Sequence, residues 1–278
     1  MLAEQSLREG NLDQALEQLQ QKVRDDPSNA KHRIFLFQLL VVLGRWDRAL
    51  NQLNVLGDLD ASTLAMVQTY REALRCEVLR AEVFAGERSP LVFGDPEPWL
   101  ALLMQALKLT GTGNYDGARP LREQAFEEAP VTAGRIDGQP FEWIADGDSR
   151  LGPVLEAIVN GRYYWIPFDR IREIRIEDPV DLRDVVWMPA QFSWANEGEA
   201  VGLIPTRYCG SASSADDAVK LARKTEWEER PGEIFLGLGQ RMLATDGGEY
   251  SLLDVRHIVL ETGEGRGDEA AKPEPGDG

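Results

Sequence analysis

Gly10, Leu12, Ala15 and Leu19 recur 34 residues later as Gly44, Trp46, Ala49 and Leu53. Asp13 and Leu16 return in the same register as Asp47 and Leu50. A third, looser copy carries Gly113, Tyr115, Asp116 and Ala118, two periods plus one residue beyond the second. No other feature of the chain constrains its fold as strongly. A period of this length, with small residues at fixed places, marks a repeated pair of helices. One pair cannot bury its apolar face alone, so successive pairs stack and leave a concave surface that another chain can enter.

The period is that of tetratricopeptide (TPR) repeats, and the helix signals fit it. Leu12, Ala15, Leu16, Leu19 and Val23 fall on one helical face. Pro27 cannot continue that helix, and Ser28 or Asn29 can cap the next. The following helix, about residues 30–43, is apolar over most of its surface and belongs in the middle of a stack. Gly44 ends it, and the next helix starts at Trp46. From Asp60 to Ala85 the chain is predicted helical without a clear copy of the repeat. Pro96 and Pro98 open another helix, and Pro130 closes the third copy.

Near residue 131 the texture changes to short β-rich runs separated by Gly, Pro, Asp and Asn. Strands are predicted at Phe141–Ala145, Leu155–Val159, Tyr163–Pro167, Ile171–Ile176, Val185–Pro189, Ala200–Pro205, Glu233–Leu238 and Val255–Leu260. Asn160-Gly161 between two of them is a hairpin signal. A short helix is predicted within Asp216–Lys224. The expectation is an α+β multidomain chain. A TPR-like helical solenoid (1–130) is followed by a mostly antiparallel β-rich domain (131–262) and a disordered acidic tail (263–278).

Composition excludes several function classes. With 47 acidic against 30 basic residues the net charge is −17. Nucleic acid and anionic membrane each need a cationic face, so both are disfavoured as partners, and a basic or neutral protein surface is favoured. The longest apolar stretch, Ile34 to Leu43, is broken by Gln38 and is far short of the ~20 residues that span a bilayer. No basic region followed by an apolar run opens the chain, so a cytoplasmic location is expected. Cys76 and Cys209 lie far apart in sequence, which argues against a disulfide framework. The two histidines, His32 and His257, supply no zinc spacing and are expected to be packing residues. Gly237-Leu-Gly-Gln-Arg lacks the third glycine and the helix of a dinucleotide fingerprint, and no Walker sequence is present. No cofactor or metal is expected.

Two sets of residues are candidates for function. In such a stack the first helix of each pair lines the concave side. In the second copy that helix carries Lys31, Ile34, Phe35 and Gln38; in the third it carries Leu100, Leu103, Met104 and Leu107. A visiting amphipathic helix with apolar anchors at i, i+3, i+4 and i+7 matches this mixed groove, Lys31 and Gln38 being the members expected to be exposed. The alternative is that the apolar members pack helix on helix. The second set is polar: Asp146, Asp148, Arg150, Arg183, Asp184, Arg207 and Tyr208. Asp146 and Asp148 have the form of paired carboxylates for acid–base work or Mg²⁺. No nucleophile or base accompanies them, and Asp-Gly-Asp-Ser is equally a turn whose side chains bond their own backbone. A structural network with the arginines, or a second partner contact, is the expectation, and no residue is assigned a catalytic role.

The β-rich half also contains a run of specific words. They are Gly138-Gln-Pro-Phe-Glu-Trp143, Asp146-Gly-Asp-Ser-Arg-Leu-Gly-Pro153, Leu155-Glu156, Gly161-Arg-Tyr-Tyr-Trp-Ile-Pro-Phe168, Asp181-Leu-Arg-Asp-Val-Val-Trp187, Pro205-Thr-Arg-Tyr208 and Thr225-Glu-Trp227. With the repeat half, they closely resemble the ImpE family, also called TagJ or SciE-type, over about residues 1–260. The resemblance implies a TPR-like domain followed by a β-rich domain, in an accessory protein of the bacterial type VI secretion system. It further implies binding of an N-terminal helix of the small sheath subunit, TssB, and modulation of how the ClpV-type unfoldase handles the sheath. The competing readings are an enzyme with a carboxylate and arginine site in the β-rich domain, and a general TPR peptide-binding module.

Overall fold

The computed structural model of the chain describes residues 2–262. The expected acidic tail lies outside the described residues. The helices are α1 (Leu2–Arg8), α2 (Leu12–Asp25), α3 (Ala30–Val42), α4 (Trp46–Leu59), α5 (Leu64–Phe84), α6 (Pro98–Gly111), α7 (Tyr115–Glu128) and the short α8 (Asp217–Lys220). Strand β1 (Leu91–Val92) lies between α5 and α6. After α7 come β2 (Gly134–Ile136), β3 (Gln139–Phe141), β4 (Ile144–Asp146), β5 (Val154–Val159), β6 (Arg162–Pro167), β7 (Ile171–Ile176), β8 (Trp187–Trp194) and β9 (Glu199–Pro205). Then follow β10 (Thr225–Arg230), β11 (Ile234–Gly239), β12 (Met242–Thr245), β13 (Gly248–Ser251) and β14 (His257–Leu260).

The repeat is written in backbone geometry. Gly10, Gly44 and Gly113 all have positive φ (77°, 64° and 79°), where a side chain would be strained, and each turns one helix into the next. Asn11 and Asn114 follow two of them as N-caps, their side chains accepting from the backbone N–H of Gln14 and Gly117 at 3.0 and 3.1 Å. Arg45 holds the same place in the second copy with no side-chain acceptor. Ala15, Ala49 and Ala118 are fully buried, as close helix approach requires. The third copy is loose for a physical reason. Where the first two carry the buried Leu19 and Leu53, it carries Arg122. That guanidinium is buried and donates to the Gly232 carbonyl at 2.7 Å, so this helix pair anchors a β-hairpin turn instead of another repeat.

Nine strands form one sheet in the order β1-β6-β5-β9-β8-β7-β14-β2-β3, with a three-stranded sheet β13-β12-β4 and a hairpin β10-β11. Every neighbouring pair is antiparallel except β1 with β6. The Asn160-Gly161 hairpin forms between β5 and β6, both residues at positive φ (50° and 71°) as a type I′ turn demands. The expected strand at 141–145 is split: β3 ends at Phe141 and β4 starts at Ile144. Strand β8 runs on to Trp194, and α8 is shorter than the predicted 216–224 helix.

The two halves share one core. Strand β5, Val-Leu-Glu-Ala-Ile-Val, is buried on both faces. Its alternation sends Leu155, Ala157 and Val159 into the interior of the curled sheet, and Val154 and Ile158 into the core containing α2–α6. Tyr163, Trp165, Trp187 and Leu203 join the helical core from β6, β8 and β9. Strand β1 carries the sheet across the expected boundary near residue 130.

Candidate functional site

Glu156 is the one charged residue in the fully buried β5, and a buried carboxylate survives only if it is paired. It accepts from Arg80 Nε and Nη2 on α5 at 2.6 and 2.9 Å, from the Tyr163 hydroxyl at 2.5 Å, and from Arg241. Tyr163 in turn accepts from the Trp165 indole at 2.8 Å. Arg241, fully buried, also pairs with Asp146 and donates to the Pro205 carbonyl at 2.9 Å. Arg80 reaches Glu77 at 3.5 Å, and Glu77 accepts from the Trp187 indole at 2.9 Å. A continuous chain of buried charge, Asp146–Arg241–Glu156–Arg80–Glu77, thus crosses from the small sheet to α5.

The polar residues singled out in the sequence divide into separate structural roles. Asp146 accepts from the Asp148 backbone at 2.8 Å and takes Arg241 as its cation. Asp148 accepts from the Arg150 backbone at 2.9 Å, from the Arg150 guanidinium at 2.8 and 2.5 Å, and from the Gly237 backbone at 2.9 Å. Asp184 belongs to a capping box with Asp181, and Arg183 pairs with Asp181 at 2.7 Å while lying over the Tyr70 ring. Arg207 pairs with no aspartate among the described residues. It donates to the carbonyls of Val42 (2.8 Å) and Val41 (3.3 Å), which end α3, and to that of Lys220, which ends α8. Tyr208 accepts from the Met242 N–H at 2.9 Å. Both aspartates of the Asp-Gly-Asp turn are therefore buried, with both oxygens of each bonded to arginines or backbone N–H groups. Sequence reasoning missed Glu156, Arg241, Arg80 and Glu77; the readable signal was a lone Glu inside an apolar strand.

Burial and charge set the protonation of this chain. Burial would raise Glu156, but Arg80 and Arg241 bring it down to about 2. Burial pushes Asp146 up to about 6, because Arg241 is shared with Glu156 and Asp148 lies nearby. Burial likewise lowers Arg207, to about 10, and pushes the Cys76 thiol up to about 12. An aspartate whose folded pKa is raised stabilises below its unfolded value and loses that contribution as pH rises through about 6. Between pH 5 and 7 this amounts to about 1 kcal/mol. Urea titrations at the two pH values should show wild type losing that much more than Asp146→Asn; equal losses would contradict the assignment.

The concave face expected to receive a partner is filled by the chain itself. Trp187 lies 6.1 Å from the Trp46 ring and 5.7 Å from the Tyr70 ring, and the turn Leu182–Val185 packs on α3. Gln38, expected to be exposed, is buried, and Ile34 and Phe35 are half-buried against the same core. Lys31 is exposed at the start of α3. Leu100, Leu103 and Leu107 are core residues, and Met104 is half-buried in a shallow groove beside Pro90. The reason is geometric: α3 and α6 are apolar enough to need cover, and the sheet supplies it. His257 also differs from expectation, since its ring bonds Glu173 at 2.6 Å on the outward side of β14.

An open cleft of about 790 Å³ lies instead where α5 meets the sheet. Met66, Tyr70 and Glu72 line it from α5 and Ile158, Asn160, Val201 and Leu203 from the sheet, and Arg183 also lines it. Val201, 72% exposed on β9, puts an open apolar side chain in its lining. Among the described residues no group of His, Cys, Asp and Glu is placed to hold a metal, and no helix is long and apolar enough to cross a membrane.

A family model described as ImpE protein matches residues 138–259, and one described as tetratricopeptide repeat matches residues 6–73. Over 261 residues the chain is 54% identical to the type VI secretion system accessory component TagJ of Pseudomonas aeruginosa, spanning 94% of this chain and 92% of that protein. The chain belongs to the ImpE family. The ImpE fold seen here is also similar to the crystal structure of a Vibrio parahaemolyticus protein, with a TM-score of 0.86 at 26% identity over 94% of this chain and 98% of that one. The expected order of a TPR-like helical region and a mostly antiparallel sheet is thus the order this ImpE chain has.

Proposed function

We infer that this chain is a non-enzymatic, cytoplasmic accessory adaptor of a type VI secretion system. It docks an N-terminal helix of the small sheath subunit TssB and so modulates how the ClpV-type unfoldase handles the sheath. The observation that carries this reading is the 54% identity, over 94% of the chain, to a type VI secretion accessory component. Two structural facts support it. The carboxylates that an enzyme would need are buried and spent on arginines and backbone N–H groups. The cleft between α5 and β9 is of ligand-pocket size and joins apolar walls to a few polar groups, which suits one face of an amphipathic helix. Docking is therefore assigned to this cleft and not to the filled concave face.

Calorimetry of the TssB N-terminal peptide against the full chain tests the reading. Saturable binding is expected, weakened at least about tenfold by Val201→Glu, a change at an exposed position that puts a charge among the apolar contacts. No heat at high peptide concentration would refute docking. Unchanged affinity in the variant would move the helix out of the cleft.

A further inference from the structure

A second open surface lies where the β10–β11 hairpin and the end of α7 meet the turn 147–152, and it is built from none of the cleft residues. Three large aromatic rings there are unusually exposed: Phe126 (39%), Trp227 (40%) and Phe235 (43%). All three are held by one turn, residues 147–152. Trp227 lies against Gly147 and Phe126 against Gly152, so closely that a Cβ at either glycine would strike the ring. The Phe235 backbone exchanges two hydrogen bonds with Ser149, each 3.0 Å. The turn is itself fixed by Asp148, through Arg150 and the Gly237 N–H. Trp227 is braced from behind by Tyr208, with ring centres 5.6 Å apart. The rings are thus seated on a rigid backbone with part of each left to solvent.

Charge is placed on the same face. In the β10–β11 hairpin Trp227 stands opposite Gly237, and Glu229 stands opposite Phe235. The two-residue alternation therefore puts Trp227, Glu229 and Phe235 on one side of the ribbon. Glu226 and Glu228, on the other side, pair with Lys224 and Arg230. Glu229 is exposed and makes no ion pair or hydrogen bond among the described residues. An unneutralised carboxylate next to two open aromatic rings is the chemistry that receives a cationic side chain. Among the described residues β10 pairs only with β11, so its outer edge is open to an extended backbone.

We propose that this face is a second docking surface, taking an extended basic segment of a partner protein. An arginine or lysine of that segment lies over Trp227 and Phe235 with its charge against Glu229, while its backbone runs along the edge of β10. An anionic ligand would meet Glu229 and a net charge of −17, and a purely apolar partner would bury Glu229 unpaired.

The test is calorimetry of the full chain with a hexaarginine peptide at near-physiological salt. Three variants are compared: Glu229→Gln, Phe235→Ser, and the control Glu249→Gln, an exposed acid on β13. The first two change exposed side chains, so all three should fold. Saturable binding by wild type is expected, about tenfold weaker in Glu229→Gln and in Phe235→Ser, with the control within about twofold. Absence of binding by wild type would overturn the proposal. So would equal losses in all three variants, or none in any, because the peptide would then be sensing net charge alone.

Discussion

Replacing Arg241 with methionine is expected to cost the fold about 3–5 kcal/mol. The guanidinium has no exposed surface and answers two carboxylates, Asp146 and Glu156, as well as the Pro205 carbonyl. Methionine fills much of the same space, so the loss is chiefly electrostatic: Glu156 keeps Arg80, but Asp146 is left buried with no cation. The same change made together with Asp146→Asn should therefore cost less than Arg241→Met alone, since it removes the stranded charge along with its partner. Urea unfolding of wild type, both single variants and the double variant measures this coupling. If the single Arg241 variant costs less than about 1 kcal/mol, or if the double variant shows no recovery, the charged chain does not hold the sheets to α5.

That charged chain also marks where sequence reasoning ran out. The repeat was legible because Gly10, Gly44 and Gly113 do a job only glycine does well, at a fixed spacing. The Asn160-Gly161 hairpin was legible for the same kind of local reason. Glu156, by contrast, meets Arg80 and Arg241 across 76 and 85 residues, and no local spacing encodes such a pairing. Strand β10, Thr-Glu-Trp-Glu-Glu-Arg, escaped because it is exposed on both faces and so shows no alternation of apolar and polar residues. Leu100, Leu103 and Leu107 have the same pattern whether they line a groove or fill a core. What decided between the two was the neighbouring sheet, which the period of the helices does not reveal.

Truncating Trp187 to alanine is expected to destabilise the whole chain by about 3–5 kcal/mol, the range for a large aromatic removed from a closed core. Trp187 is fully buried on β8, yet its contacts are with the helices: the Trp46 and Tyr70 rings, and Glu77 through its indole N–H at 2.9 Å. Its loss opens a cavity and removes a donor from a buried carboxylate. Trp187→Phe, which keeps the six-membered ring but loses the N–H together with the pyrrole part of the indole, should cost less, about 1–3 kcal/mol. Because α3 and α5 depend on this residue and on Tyr163, Trp165 and Leu203 for cover, a fragment of residues 1–130 should not melt cooperatively. Near-ultraviolet dichroism and thermal unfolding of that fragment decide the point. A sharp transition would mean that the helical stack stands alone. Its concave face would then be a groove in its own right, with the sheet a removable cover over Ile34, Phe35 and Gln38.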